Sequence, residues 1–197
     1  MINGNQRSTS NYQTNEPKTA LVQPITAQNF CDFAALNYST DIKPTIDALI
    51  MTASEACIRY TGRDLLQREW TYKSDRHPED QAALHGISYM PSRRSAWIQL
   101  PVGPAVSVDT VTVDGETVTP EKIDLPGRRV FIDGGENIVI DYTAGHETIP
   151  ETLLTGIKMM ALYLYERRGA CDVGNAAIES GAMAIWHPLK YYQAGSL

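Results

Sequence analysis

The chain has 197 residues, 43% hydrophobic and 20% charged, with a formal net charge of -6, enough to bury a core as one domain with appendages and a composition that excludes global disorder. The acidic balance argues against a nucleic-acid grip built on a broad basic field, because phosphate binding needs clustered Lys and Arg. Cys31, Cys57 and Cys171 are an odd set far apart in sequence, two of them on apolar helical stripes, and read as reduced, structural thiols.

Residues 1–24 are rich in Asn, Gln, Ser and Thr and have no apolar period, which predicts an N-terminal arm that is flexible alone and can order on a partner. They lack the apolar stretch of a secretory signal, and no window approaches a transmembrane length, so the expected place of work is a cytoplasm or something assembled there. In "ITAQNFCDFAAL" Thr26 suits an N-cap, and Ala27, Phe30, Cys31 and Ala34 fall at helical spacing, predicting a helix over 26–36. A longer helix is predicted over 44–61. Pro44 suits its first turn, Ile46, Leu49, Ile50, Ala53, Cys57 and Tyr60 form its apolar stripe, and Asp47, Ser54, Glu55 and Arg59 lie off it. Gly62 then supplies a left-handed stop.

Within a few residues of that stop the apolar period changes from 3.6 to 2, with Leu66, Arg68, Trp70 and Tyr72 on one face of a strand. Residues 75–95 have no period and read as a long loop. The strands "AWIQL", "AVSVDTVTV", "ETVTP", "RRVFI" and "NIVIDYT" follow. Asp114-Gly115 is a two-residue hairpin turn, and the parity slip between Val108 and Val111 predicts a bulge near Asp109-Thr110. After a turn at Gly145, Pro150 and Glu151 open a helix over 150–168 that is apolar almost all round from Ile157 to Tyr165. Such a helix is either central in its own core or packed against another subunit, so Met159, Met160, Tyr163, Tyr165, Arg167 and Arg168 are candidate interface residues.

The pattern predicts an α+β fold. Its main domain over 25–175 has a helical body of three main helices plus a C-terminal segment, and an antiparallel β-sheet lobe (64–143) is inserted into that body. A tail over 176–197 carries Ile185, Trp186, Leu189, Tyr191 and Tyr192. Large aromatics there are either packed back on the domain or used as anchors for a partner.

Catalytic patterns are weak. His77, His85, His146 and His187 are scattered, and "HETIP" lacks the second histidine of a zincin helix. "PVGPAV", "DGGEN" and "TAGHE" have neither a P-loop ending nor a dinucleotide frame, and read as turns. Asp133, Glu136 and Asp141 could form a carboxylate pair only if the fold aimed them at one cleft. The basic pairs at 93–94 and 128–129 lack the interleaved aromatics of a single-strand binder. No cofactor, metal or catalytic group is expected.

The stretches "YTGRDLLQREW", "IQLPVGPAVSVDTVTVDG", "IVIDYTAGHETIPETLLTGIKMMALYLYERRGA" and "IESGAMAIWHPLKYY", in that order and spacing, resemble the head-tail connector (adaptor) family of tailed bacteriophages, the gp6-like or gp8-like group. The resemblance runs from about Ile25 to Tyr192, although the family's usual Pro-Tyr-Arg-like ending is here His187-Pro188-Leu189-Lys190-Tyr191-Tyr192. It implies a non-enzymatic virion protein assembled in the host cytoplasm. In the neck it would form a ring of about a dozen copies, closed by head-to-tail interfaces, that sits under the portal protein. The ring would extend the channel through which DNA passes without specific recognition, and would offer an attachment site to stopper or tail proteins. The resemblance also implies that Ile185, Trp186, Leu189, Tyr191 and Tyr192 form a portal-docking tail, and it implies no membrane partner. A stopper or tail-completion protein of the same neck, and a monomeric enzyme or ligand-binding module with a cleft near His77 and His85, are the competing readings.

Overall fold

The computed structural model describes residues 13–75, 95–135, 137–167 and 173–191, with backbone alone at 95, 96, 173 and 174. The predicted α+β architecture is present, built as two lobes with separate hydrophobic cores.

The helical lobe begins with α1 (Ala27–Ala34), where Thr26 Oγ1 accepts from the Asn29 N–H at 3.2 Å and so satisfies a donor that the first turn leaves open. Helix α2 (Lys43–Thr61) buries Ile46, Ile50, Ala53 and Cys57 along the expected stripe. Ser54, placed off that stripe by its polarity, is also buried, as is Thr61. Their hydroxyls donate to the Ile50 and Cys57 carbonyls at 2.7 Å each, so neither brings an unsatisfied group inside. Helix α3 (Glu151–Glu166) follows Pro150, which serves as its N-cap residue and whose carbonyl accepts from the Leu153 N–H at 2.9 Å. It is the central helix of its own lobe, burying Leu153, Gly156, Ile157, Met160, Ala161 and Leu164. The "AAIESGAMAIW" stretch forms two further short helices, α4 (Val173–Glu179) and α5 (Ala182–Trp186), then a 3-10 turn at His187–Leu189. Its small side chains let these elements close over α3.

Gly62 ends α2 at φ 69°, and its N–H donates to the Ile58 carbonyl at 2.9 Å. A Cβ there would find its nearest neighbour, the Pro101 carbonyl oxygen, at 3.4 Å, so backbone conformation rather than space selects glycine. Gly62→Val is expected to destabilise the fold by about 1–2 kcal/mol, since a branched side chain disfavours the left-handed region. Thermal melts of the variant against wild type check this, and an unchanged midpoint would contradict it.

The sheet lobe contains a five-stranded antiparallel sheet ordered β1-β2-β8-β4-β5 and a three-stranded one ordered β3-β7-β6. The strands are β1 (Gln13–Pro17), β2 (Arg68–Ser74), β3 (Ser95–Gln99), β4 (Ala105–Val113), β5 (Glu116–Thr117), β6 (Lys122–Asp124), β7 (Arg129–Asp133) and β8 (Ile138–Ala144). Between them they bury Trp70, Tyr72, Ile98, Val130, Ile140 and Tyr142, among others. The β4–β5 hairpin turns on Asp114 and Gly115 at φ 52° and 86°, the positive pair such a turn needs. Pairing of β4 with β8 shifts register between Val108 and Thr110, where the bulge was expected, and again between Ala105 and Ser107.

Two features depart from the sequence reading. Residues 13–17, assigned to the flexible arm, form edge strand β1, paired with β2 from Gln13↔Ser74 to Pro17↔Trp70. A polar edge strand needs no apolar alternation, because ladder bonds hold it; here Tyr142 Oη also donates to Asn15 at 3.0 Å, and Lys18 pairs with Asp141 at 2.9 Å. Strand β6 was not foreseen, since three residues carry no readable period.

Candidate functional site

The abrupt passage from α2 into β2 is where the two lobes meet. Asp64 lies fully buried in it. One carboxylate oxygen accepts from Arg68 Nε at 2.7 Å and Trp70 Nε1 at 2.8 Å, and the other from the Leu65 N–H at 2.8 Å. The Arg68 guanidinium, itself 9% exposed, lies 5.0 Å from the Trp70 ring centroid. The backbone is tied as well, Asp64 N–H donating to the Gly103 carbonyl at 2.9 Å and Gly103 N–H to the Gly62 carbonyl at 3.0 Å. On the return crossing Gly145 sits at φ 128°, and a Cβ there would come within 2.2 Å of the Leu66 carbonyl oxygen, so this contact admits glycine alone. Next to it, His146 Nε2 is buried with no hydrogen-bond partner among the described residues. Burial, then the neighbouring Arg63 cation, hold its pKa below the usual histidine range against an opposing pull from Asp64.

The C-terminal segment returns to this joint. Tyr191 N–H donates to the Thr61 carbonyl at 2.8 Å, and its Oη accepts from Arg63 Nη1 at 2.9 Å. The ring is held between two guanidiniums, Arg63 and Arg128, each 3.8 Å from its centroid. Arg63 Nε also donates to the Leu189 carbonyl. Arg128, 4% exposed, donates to the carbonyls of Leu100 and Pro101 at 2.9 and 3.1 Å, and burial lowers its pKa from the usual arginine value. A cleft of about 810 Å³ opens beside this cluster, with Pro17, Leu21, Ile58, Arg59, Trp70 and Tyr191 among its walls.

Several sequence assignments change. Trp186 is not a free docking anchor: it is fully buried in the helical core, with Nε1 donating to the Leu153 carbonyl at 3.3 Å. Ile185 and Leu189 are half-buried against the same core. Met160 is likewise fully buried within its own chain and has no surface to give a neighbour. Tyr165 packs edge-on against Phe30 at 6.5 Å. Met159 and Tyr163 are half-buried on the side of α3 that faces Gly181 and α4, where Tyr163 Oη donates to Glu179, and Arg167 is exposed at its end. Arg168, Tyr192, Cys171, His77 and His85 lie outside the described residues. The Cys57 thiol is pushed up to about 12 by burial, which suits packing rather than nucleophilic attack. Among the described residues no group of three or more His, Cys, Asp or Glu is placed to hold a metal ion.

No protein-family model matches the sequence, and no curated protein matches it. Solved structures do match. A chain in the neck of an empty gene transfer agent (GTA) particle, computed with C6 symmetry, aligns with a TM-score of 0.66 at 18% identity, over 93% of this chain and 98% of that one. The fold is shared with the neck of a gene transfer agent particle. The neck of the native particle, computed with C12 symmetry, gives a TM-score of 0.62 at 16% identity, and the virion of the native particle 0.63 at 17%, with the same coverage. Neither lobe alone could supply a 93% match, so the likeness extends to both lobes and the joint between them.

Proposed function

We propose that the chain is a structural neck protein of a phage-like virion, an adaptor that forms a ring under the portal protein, extends the DNA channel and receives stopper or tail proteins. The observation that carries this reading is the end-to-end match of the two-lobed fold to chains of a gene transfer agent neck, 93% of this chain against 98% of that one. Those necks were computed with C6 and C12 symmetry, which favours a closed ring with head-to-tail contacts here.

Surface chemistry is compatible with such contacts. On the helical lobe Phe33 and Ile178 stand 44% and 59% exposed, Arg167 is exposed at the end of α3 and Met159 and Tyr163 are half-buried, which leaves apolar and cationic surface that a neighbouring subunit could cover. With Trp186 committed to the core, the proposed portal-docking element narrows to the segment from Leu189 onward. The net charge of -6 suits a lumen that DNA must traverse without sticking.

Native mass spectrometry of the purified protein, alone and mixed with the portal protein encoded in the same genome, tests the proposal. A closed ring, or stoichiometric capture by the portal, is the expected result. A monomer indifferent to the portal would overturn it.

A further inference from the structure

The two lobes close separate cores with no residue in common. Among the described residues, what fixes one against the other is therefore confined to the chain crossings and to what bridges them. The C-terminal segment is rooted in the helical lobe by buried Trp186, and its 3-10 turn is tied to α2 by a 2.8 Å contact between His187 Nδ1 and Tyr60 Oη. From that root it extends to Tyr191, which lies against Arg63 at the joint and against Arg128, carried by the β6–β7 turn of the sheet lobe. A Cβ on Gly103 would come within 2.4 Å of the Arg128 side chain and 3.0 Å of the Tyr191 ring, so this glycine leaves room for the stack. Among the described residues no carboxylate pairs with Arg128, whose donors go to the carbonyls of Leu100 and Pro101 while its face goes to Tyr191.

We propose that Tyr191 is a reversible latch on a hinge: seated between Arg63 and Arg128 it fixes the sheet lobe at one angle to the helical lobe, and its withdrawal frees that angle. Two properties make the latch releasable. Tyr191 is only half-buried, and each of its attachments is a single hydrogen bond or a cation–π contact, of the kind that exchanges readily with solvent or with another protein. Neither core includes Tyr191, so release leaves both lobes folded. A partner that competes for the ring would shift the same equilibrium by its preference for the released state, making capture of this segment and reorientation of the lobe one event. The inference concerns a single chain and does not depend on the neck assignment.

The test is a spin-label distance measurement between Glu166→Cys at the end of α3 and Glu116→Cys at the β4–β5 hairpin, in a Cys171→Ser background. Cys31 and Cys57 are buried and left in place, and labelled chains are diluted into unlabelled protein so that only distances within one chain count. Wild type should give one narrow distribution, Tyr191→Ala a broadened or shifted one, and Tyr191→Phe, which keeps the ring, a distribution close to wild type. Arg128→Met should broaden it as Tyr191→Ala does, and serves alone if the alanine variant fails to fold. Distributions in Tyr191→Ala and Arg128→Met as narrow as in wild type, and centred at the same distance, would overturn the latch.

Discussion

Asp64→Ala is expected to lower stability by about 3–5 kcal/mol, the usual cost of leaving one member of a buried ion pair without its partner. The carboxylate is fully buried and accepts from Arg68 Nε, Trp70 Nε1 and the Leu65 N–H. Removing it strands the Arg68 guanidinium, 9% exposed, without a counter-charge, and leaves the indole N–H without an acceptor. Domains of this kind have about 5–15 kcal/mol in total, so the variant should unfold at markedly lower urea. The physics also fixes how the loss combines with a second substitution. Once Arg68→Met has removed the cation, Asp64→Ala no longer exposes an unpaired charge, so the double variant should be less destabilised than the sum of the two singles. Urea unfolding of the four proteins measures the coupling. Additive losses would mean that the two side chains do not depend on each other for stability, whatever their geometry.

How much of this was legible in the sequence depends on how local each signal is. The α2 stripe, its Gly62 stop and the switch to period 2 sit within a few residues of one another, and the structure has each where the pattern put it. The Asp114-Gly115 turn and the bulge after Val108 were readable for the same reason, since positive φ and strand parity are properties of single residues and their neighbours. Strand β1 was not readable, because a polar edge strand owes its existence to β2, more than fifty positions away. Asp64 and Arg68 do carry a local hint, opposite charges four apart just after a helix stop. Nothing local tells that both are buried or that Trp70 points its N–H at the same oxygen. The Tyr191 slot is assembled from residues 63, 128 and 191, so it belongs to tertiary structure alone. The terminal aromatics show the limit of composition as a guide: their residue types fit a partner surface and a core equally well, and the fold divides them, with Trp186 inside and Tyr191 at the joint.

Trp186→Ala should cost about 3–5 kcal/mol, as large-to-small changes at fully buried aromatic positions do. The indole is 0% exposed and lies against Gly156 of α3 so closely that a Cβ on that glycine would come within 2.1 Å of Nε1. The alanine variant therefore opens a cavity against the central helix and leaves the Leu153 carbonyl without its indole donor. Gly156→Val attacks the same contact from the other side, forcing a branched side chain into space that the ring occupies, and should also destabilise. Both are read by chemical denaturation, with portal capture measured on whatever fraction remains folded at low temperature. If Trp186 works as packing, capture per folded molecule stays near wild type while stability falls; if it works as an anchor, capture disappears and stability holds. The same geometry dictates how docking by the tail has to be examined. Truncation after Gly181 removes the Trp186 core contact along with the tail and confounds folding with binding. Tyr191→Ala leaves Trp186 in place, so a loss of portal capture in that variant, with the helical core intact, would be assigned to the segment or to the lobe angle it sets, and not to core packing.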